Sequence, residues 1–92
     1  MEKPPLKIPT EDHIDLHTFS PKEISRLVAD YLEEALLSGF REVRIIHGRG
    51  TGSQRRQVRG ILSSHPSVES FRDAPADAGG WGATVVVLKS RR

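Results

Sequence analysis

A glycine-rich segment that begins at a histidine carries the residue types most suited to chemistry in this chain. The segment reads His47-Gly48-Arg49-Gly50-Thr51-Gly52. Glycine lets the backbone turn sharply and approach a ligand, and the helix predicted to follow presents free N–H groups and a partial positive charge. Phosphate is the anion that suits such a turn. The spacing matches neither a P-loop nor a dinucleotide fingerprint, and a turn that serves only the fold is the alternative.

A second histidine, His17, ends a short segment in which apolar and polar residues alternate. Ile14 and Leu16 share one face of the predicted strand, as in a half-buried edge strand. Asp15 and His17 share the other face. The Asp15 carboxylate could orient an imidazole or bind a metal ion, and an ordinary exposed carboxylate is the equal alternative.

The order strand, helix, strand brings the two histidines to one place. A crossover of this kind is right-handed and its strands are parallel, so both strands end at the sheet edge where open α/β sheets bind ligands. We therefore expect His17 and His47 to converge beside the turn. Histidine is the side chain whose ordinary pKa lies near neutrality, which suits general acid–base catalysis better than plain phosphate binding.

Arginines are concentrated just after the glycine turn. The chain has 14 Lys and Arg against 12 Asp and Glu, a net charge of only +2 that does not establish a nucleic-acid partner. Four arginines nevertheless fall within eleven residues: Arg49, Arg55, Arg56 and Arg59. We predict that they face one groove with the turn and bind phosphate with little sequence preference. Trp81 could stack on a base, but packing beneath the last hairpin is the interpretation we favour.

Length and composition exclude several classes of protein. Ninety-two residues make one small domain, with a single core and an open surface groove rather than an interior active site. The chain has no cysteine, which excludes disulfides, a thiolate zinc site and a cysteine nucleophile. We find no apolar run long enough to span a membrane and no signal peptide. We expect a cytoplasmic monomer without a cofactor, with Mg²⁺ or Mn²⁺ as the alternative.

Periodicity and turn residues predict the order β-α-β-α-β-β after a flexible leader over residues 1–11. The strands are expected over residues 13–17, 42–47, 68–73 and 83–88, and the helices over 20–39 and 52–64. Ser20 and Glu23 predict a capping box, and Gly39 predicts the end of that helix. The second strand should be internal, and the last should be central and antiparallel to the others. Residues 90–92 form a basic tail.

This order, together with three sequence segments, resembles the Smr (small MutS-related) domain in its stand-alone form over residues 12–89. The segments are Ile14-Asp15-Leu16-His17, residues 47–52, and residues 79–87, which read GGWGATVVV. The Asp-x-His of the family falls on Asp15 and His17, and its His-Gly-x-Gly falls on residues 47–50. The resemblance implies a two-layer α/β sandwich with two helices on one face of a four-stranded mixed sheet. Gln54 departs from the leucine usual in the family, which bears on the packing of the second helix.

The resemblance also implies an endonuclease, a hydrolase that nicks DNA or cuts RNA, with a non-catalytic nucleic-acid-binding adaptor as the alternative. DNA or RNA is then the partner, and the ribosome or a DNA-repair assembly is the larger complex to consider. The catalytic candidates are Asp15, His17, His47 and Arg49, and the phosphate-binding candidates are Gly48, Arg49, Gly50, Thr51, Gly52, Arg55, Arg56 and Arg59.

Two chemical routes follow from these candidates. For RNA, one histidine would deprotonate the 2′-hydroxyl and the other would protonate the leaving 5′-oxygen, without a metal. DNA has no 2′-hydroxyl, so its cleavage would need water activated by Mg²⁺ or Mn²⁺ held by Asp15, with or without a histidine. We expect the metal-free route on RNA.

Overall fold

Four strands and two α-helices alternate in the predicted order. The computed structural model describes residues 10–89, so residues 1–9 of the predicted leader and the tail over 90–92 lie outside the described part. The elements are β1 (His13–Asp15), α1 (Pro21–Leu37), β2 (Glu42–Ile46), α2 (Ser53–Ser64), β3 (Val68–Asp73) and β4 (Ala83–Leu88). The loop before β4 contains two short 3-10 turns, Ala76–Ala78 and Gly80–Gly82.

The strands form one mixed sheet in the order β1-β2-β4-β3. β1 pairs parallel to β2, with Ile14 opposite Ile45. β4 runs antiparallel to β2 and to β3, its two neighbours. These pairings confirm the edge position of β1, the internal position of β2 and the central antiparallel position of β4.

Both helices pack on one face of the sheet. Their core residues form a single cluster with alternate residues of the strands: Leu16, Ile24, Val28, Tyr31, Leu32, Ala35, Val43, Ile45, Val58, Leu62, Val86 and Leu88. The opposite face carries a smaller cluster of Ala74, Ala83 and Val85, against which Ile46 and Ala78 pack, and no α-helix of residues 10–89 covers it. The structure is therefore the two-layer α/β sandwich that the resemblance implied. No helix in residues 10–89 is long and apolar enough to cross a membrane.

Two details at element ends differ from the sequence prediction. The predicted capping box does not form, because the Ser20 side chain makes no capping hydrogen bond and the Glu23 N–H instead donates to the Ser20 carbonyl at 3.0 Å. β1 ends at Asp15 rather than at His17, because the Asp15 carboxylate accepts the His17 backbone N–H at 3.1 Å and turns the chain.

The end of α1 confirms its prediction. Gly39 has a φ of +88°, the left-handed conformation that glycine adopts without strain. Its N–H donates to the Leu36 carbonyl, and the Phe40 N–H donates to the Ala35 carbonyl, both at 3.0 Å. This pair of bonds is a Schellman motif, which directs the chain from α1 into β2.

Candidate functional site

An open groove lies at the carboxyl ends of β1 and β2, against the N-terminus of α2. Its volume is about 390 Å³, and it is lined by His17, Pro21, His47, Gly48, Arg49, Gly50, Thr51, Gly52, Ser53 and Gln54. The structure therefore brings together the two predicted histidines and the whole glycine turn. The parallel pairing of β1 and β2 is the cause, because it places both strand ends at one edge of the sheet.

His17 is the exposed imidazole of this groove and is held by Asp15. The Nδ1–H of His17 donates to Asp15 Oδ1 at 2.6 Å, and the same oxygen accepts the His17 backbone N–H. The side chain of His17 is 57% exposed. The hydrogen bond from His17 is the main reason that the pKa of Asp15 lies below its usual range. Because a carboxylate can only accept, Nδ1 carries the proton and Nε2 of the neutral ring is left with a lone pair.

His47 is placed quite differently, although its ring also lines the groove. Only 2% of the residue is exposed. Its Nδ1–H donates to the Gly48 carbonyl at 3.1 Å, and its Nε2 accepts the Thr84 hydroxyl at 2.8 Å. Burial is the main cause that lowers the pKa of His47. Both ring nitrogens are thus occupied in a neutral imidazole that supports the turn from beneath.

The glycines of the turn serve different purposes. Gly48 has a φ of +86°, and a Cβ on it would lie 3.3 Å from the Cβ of His17, so it allows the end of β1 to lie against the turn. Gly50 also has a positive φ, +35°, but a Cβ there would meet nothing within 4 Å. No atom of residues 10–89 therefore requires a glycine at position 50, whose backbone conformation favours one, and the close approach of a ligand to this residue stays a prediction.

The N-terminus of α2 opens into the groove. Gly52 is its N-cap in the left-handed conformation, and no side chain caps the helix with a short hydrogen bond. The Ser53 N–H reaches only the Thr51 hydroxyl, at 3.4 Å. The first N–H groups of a helix have no partner within the helix, and its dipole adds partial positive charge. This end of α2 can therefore receive an anion such as a phosphate oxygen.

Arg49 is held at the rim of the groove by the loop before β4. Its Nη2 donates to the Gly79 carbonyl at 3.2 Å, and its guanidinium carbon lies 5.9 Å from the centre of the Trp81 ring. A Cβ on Gly80 or Gly82 would come within 2.9 or 3.0 Å of the Arg49 side chain. The two glycines thus make room for the arginine, whose guanidinium retains further donors for a ligand.

The loop before β4 also fixes the backbone of the turn. The Gly82 carbonyl accepts the N–H of His47 at 3.1 Å and the N–H of Gly48 at 2.9 Å. Two of the three sequence segments on which the resemblance rests, residues 47–52 and 79–87, are therefore in direct contact.

The prediction that four arginines face one groove is wrong for Arg55 and Arg59, and of the four only Arg49 lines the groove. Arg55 and Arg59 do not line the groove, because each donates to the same oxygen of Asp73 at the end of β3, Arg55 at 2.7 Å. The hydrogen bond from Arg55 is the main reason that the pKa of Asp73 is lowered. Arg56 is exposed, and its Nη1 lies 3.9 Å from the Cβ position of Gly52, near the N-terminus of α2.

Two hydrogen bonds at the site were not predicted from the sequence. Thr84, the hydrogen-bond partner of His47, is fully buried. It is also the one polar residue in β4, and a lone hydroxyl in an apolar strand is a signal for a buried hydrogen bond. From the sequence, Gln54 was expected only to weaken the packing of α2. In the structure its side-chain amide donates to the Phe19 carbonyl at 3.0 Å, which connects α2 to the loop that follows His17.

The donor set at this edge does not fit a resident metal ion. Residues 10–89 hold no group of three or more His, Cys, Asp or Glu side chains placed to share one. Asp15 is the carboxylate at the groove, and its Oδ1 already accepts two hydrogen bonds from His17. A dedicated site for Mg²⁺ needs several oxygen ligands in a near-octahedral arrangement, which these side chains do not supply.

Known structures share this fold. The family model of the Smr domain matches residues 14–89. The crystal structure of the Smr domain of Thermus thermophilus MutS2 has a TM-score of 0.82 at 40% identity, covering 86% of this chain and 99% of that one. YdaL, a stand-alone small MutS-related protein from Escherichia coli, has a TM-score of 0.76 at 30% identity, covering 91% of this chain and 69% of that one.

Proteins named Endonuclease MutS2 are similar in sequence. The protein from Halalkalibacterium halodurans is 44% identical over 92 residues, which cover 95% of this chain and 12% of the relative. The protein from Solidesulfovibrio magneticus is 52% identical over 65 residues, which cover 71% of this chain and 8% of the relative. The chain therefore spans about a tenth of the length of the curated relatives it matches.

Proposed function

The chain belongs to the Smr domain family, and from this premise we propose that it is an endonuclease that cuts a nucleic-acid phosphodiester in the groove beside His17. The observation that carries the proposal is the Asp15–His17 pair. Its 2.6 Å hydrogen bond orients an exposed imidazole so that Nε2 is available to a substrate. In proton-transfer catalysis, the residue that acts as the base is commonly held in position by a hydrogen bond to a third group.

Phosphate binding is the first step that the groove supports. Arg49 supplies a fixed positive charge, and the N-terminus of α2 supplies backbone N–H groups close to the hydroxyls of Thr51 and Ser53. None of these groups reads a base, so the contacts position the backbone of the nucleic acid and give little sequence preference. Arg56 extends the positive charge along the exposed side of α2.

RNA is the substrate that best matches a site with one exposed imidazole. Nε2 of His17 would take the proton of the 2′-hydroxyl, whose oxygen then attacks the adjacent phosphorus and expels the 5′-oxygen. The proton on His17 can return to that leaving oxygen. Arg49 and the helix N-terminus would stabilise the charge that builds on the phosphate. The products are a cyclic phosphate and a 5′-hydroxyl.

His47 is then a positioning residue rather than the second proton-transfer group. Its two ring nitrogens already bond to Gly48 and Thr84, and burial keeps it neutral. It supports the turn on which Gly48 and Arg49 stand, so its loss would deform the phosphate site. This assignment differs from the symmetric use of two histidines as acid and base.

The experiment compares His17→Ala with His13→Ala on labelled RNA and DNA, with and without EDTA. His13 begins β1, four residues before His17, and is partly exposed, so its variant is a matched control for removing an imidazole from this part of the chain. We expect His17→Ala to lower the RNA cleavage rate by roughly 10²–10⁴-fold and His13→Ala to leave it unchanged. Asp15→Asn should give an intermediate loss, because Nδ1 loses its carboxylate partner.

Three results would contradict the proposal in different ways. Unchanged cleavage by His17→Ala would remove this residue from the chemistry. EDTA-sensitive cleavage that leaves a 5′-phosphate would replace the route with metal-activated water. Tight binding with no product, from RNA or DNA, would support the second candidate function, a non-catalytic nucleic-acid-binding module, which the burial of His47 favours because only one exposed imidazole remains in the groove.

A further inference from the structure

We propose that Trp81 is a stacking platform for an unpaired nucleobase next to the phosphate groove, so that the substrate of this site is single-stranded nucleic acid. The inference rests on the proposed function in one respect, since it takes nucleic acid as the ligand. It adds the substrate class and a residue that selects it, neither of which depends on the cleavage chemistry.

The first observation is the exposure of the indole. Trp81 is 44% exposed, so it does not pack beneath the hairpin as the sequence suggested. The large hydrophobic residues exposed within residues 10–89 are Phe19, Leu37 and Trp81. Leu37 ends α1 at the far end from the groove, whereas Phe19 lies between the groove residues His17 and Pro21. The two exposed aromatic residues thus lie next to the site.

The second observation is how firmly Trp81 is tied to the phosphate site. It sits in the middle of the 3-10 turn Gly80–Gly82. The Gly82 carbonyl accepts the backbone N–H groups of His47 and Gly48, and the Gly82 N–H donates to Gly79 at 3.0 Å. The backbone that carries the indole is therefore fixed to the turn, which leaves only side-chain torsions to adjust on binding.

The third observation is that Arg49 joins the two surfaces. Its guanidinium carbon lies 5.9 Å from the centre of the Trp81 ring, and Arg49 also lines the groove. A phosphate bound by Arg49 is therefore close to the indole. A nucleotide carries a phosphate and a base on one sugar, so a backbone that follows the groove brings a base to this ring. The arginine also adds cation–π attraction to the aromatic surface.

The geometry of a stacked base decides the substrate class. In a duplex the base faces are already covered by their neighbours, and an aromatic side chain outside the helix cannot reach them. Single strands, loops and bulges present unstacked bases that aromatic side chains cover, with little dependence on base identity. Trp81 therefore favours unpaired nucleotides while leaving the site indifferent to sequence.

The test uses the fact that the chain contains a single tryptophan, so its intrinsic fluorescence reports on Trp81 alone. The protein is titrated with a single-stranded oligonucleotide, with an abasic strand of equal length and with a blunt duplex. We expect strong quenching by the first and little by the other two. Because Trp81→Leu has no tryptophan, affinities are compared by the anisotropy of a labelled strand. The unchanged protein should bind the intact strand about 5- to 150-fold more tightly than Trp81→Leu does.

Matched variants separate stacking from folding and from catalysis. Trp81→Phe should retain most of the affinity, because an aromatic ring remains. Leu37→Ala removes an exposed hydrophobic residue at a distant place and should bind as the unchanged protein does. His17→Ala should show full quenching even if cleavage is abolished, which keeps this result independent of the chemistry.

Equal affinity of Trp81→Leu and the unchanged protein for the intact strand would overturn the inference. Equal quenching by the abasic strand or the duplex would also overturn it, while leaving the phosphate site of the proposed function in place. If none of the three nucleic acids binds, the proposed function fails and the inference fails with it. If the strand binds and quenches but is never cut, the inference stands and the endonuclease proposal fails.

Discussion

Replacing Gly48 by alanine perturbs both the backbone and the position of His17. The backbone at Gly48 has a φ of +86°, and an added Cβ would lie 3.3 Å from the Cβ of His17. A left-handed alanine costs about 1–2 kcal/mol. The contact with His17 is shorter than ordinary van der Waals distance by a few tenths of an ångström, so the end of β1 must move away from the turn.

The matched control is alanine at Gly50, which shares the backbone cost without the contact. Gly50 has a φ of +35°, and its Cβ would meet nothing within 4 Å. Both variants should therefore lose about 1–2 kcal/mol of stability, which corresponds to a fall in Tm of roughly 4–16 °C for a domain of this size. Only Gly48→Ala should displace His17.

The cleavage rate should distinguish the two variants, because only Gly48→Ala displaces His17. Misplacement of a catalytic group by 1 Å costs on the order of 10²-fold, so a shift of a few tenths of an ångström predicts a loss of roughly tenfold or less. The assay is the single-turnover rate of RNA cleavage at saturating protein, measured at a temperature where both variants are folded. Equal rates for Gly48→Ala and Gly50→Ala would refute the claim that Gly48 sets the position of His17.

Substitutions at three further positions test the surroundings of the site. Thr84→Val should destabilise the fold by about 1–3 kcal/mol in denaturant titration, since it leaves the buried Nε2 of His47 without a donor, whereas Thr84→Ser should do less harm. Because the pKa of His47 is lowered by folding, the unfolded chain gains its proton first and stability is lost as pH falls below the ordinary histidine pKa of about 6.5. His47→Gln should remove that part of the slope, which is at most about 1.4 kcal/mol per pH unit, and parallel pH profiles would contradict this. Asp73→Asn should release Arg55 and Arg59, tighten nucleic-acid binding and steepen the logarithmic salt dependence by about 0.7–0.9 for each arginine that reaches a phosphate; an unchanged slope would show that neither does.

The elements and their arrangement could largely be predicted from the sequence, because they depend on short-range pattern. Alternation over residues 13–17 and the helical spacing after Ser20 each assign one face of an element to the core. The end of α1 is predictable because a glycine readily adopts the left-handed conformation that follows a helix, as Gly39 does. The parallel pairing of β1 with β2 follows from the crossover rule, and it predicts correctly that His17 and His47 line one groove.

The state of each site residue was decided by the tertiary structure. His47 is buried against β4, where its Nε2 accepts the Thr84 hydroxyl, and this burial is the main cause that lowers its pKa. Arg55 and Arg59 turn from the groove because β3 ends at Asp73, which is 18 and 14 residues away from them along the chain. The periodicity of apolar residues shows on which face of its helix or strand a side chain lies. Its burial, its ion pairs and its pKa depend on the distant residues that the fold places against it.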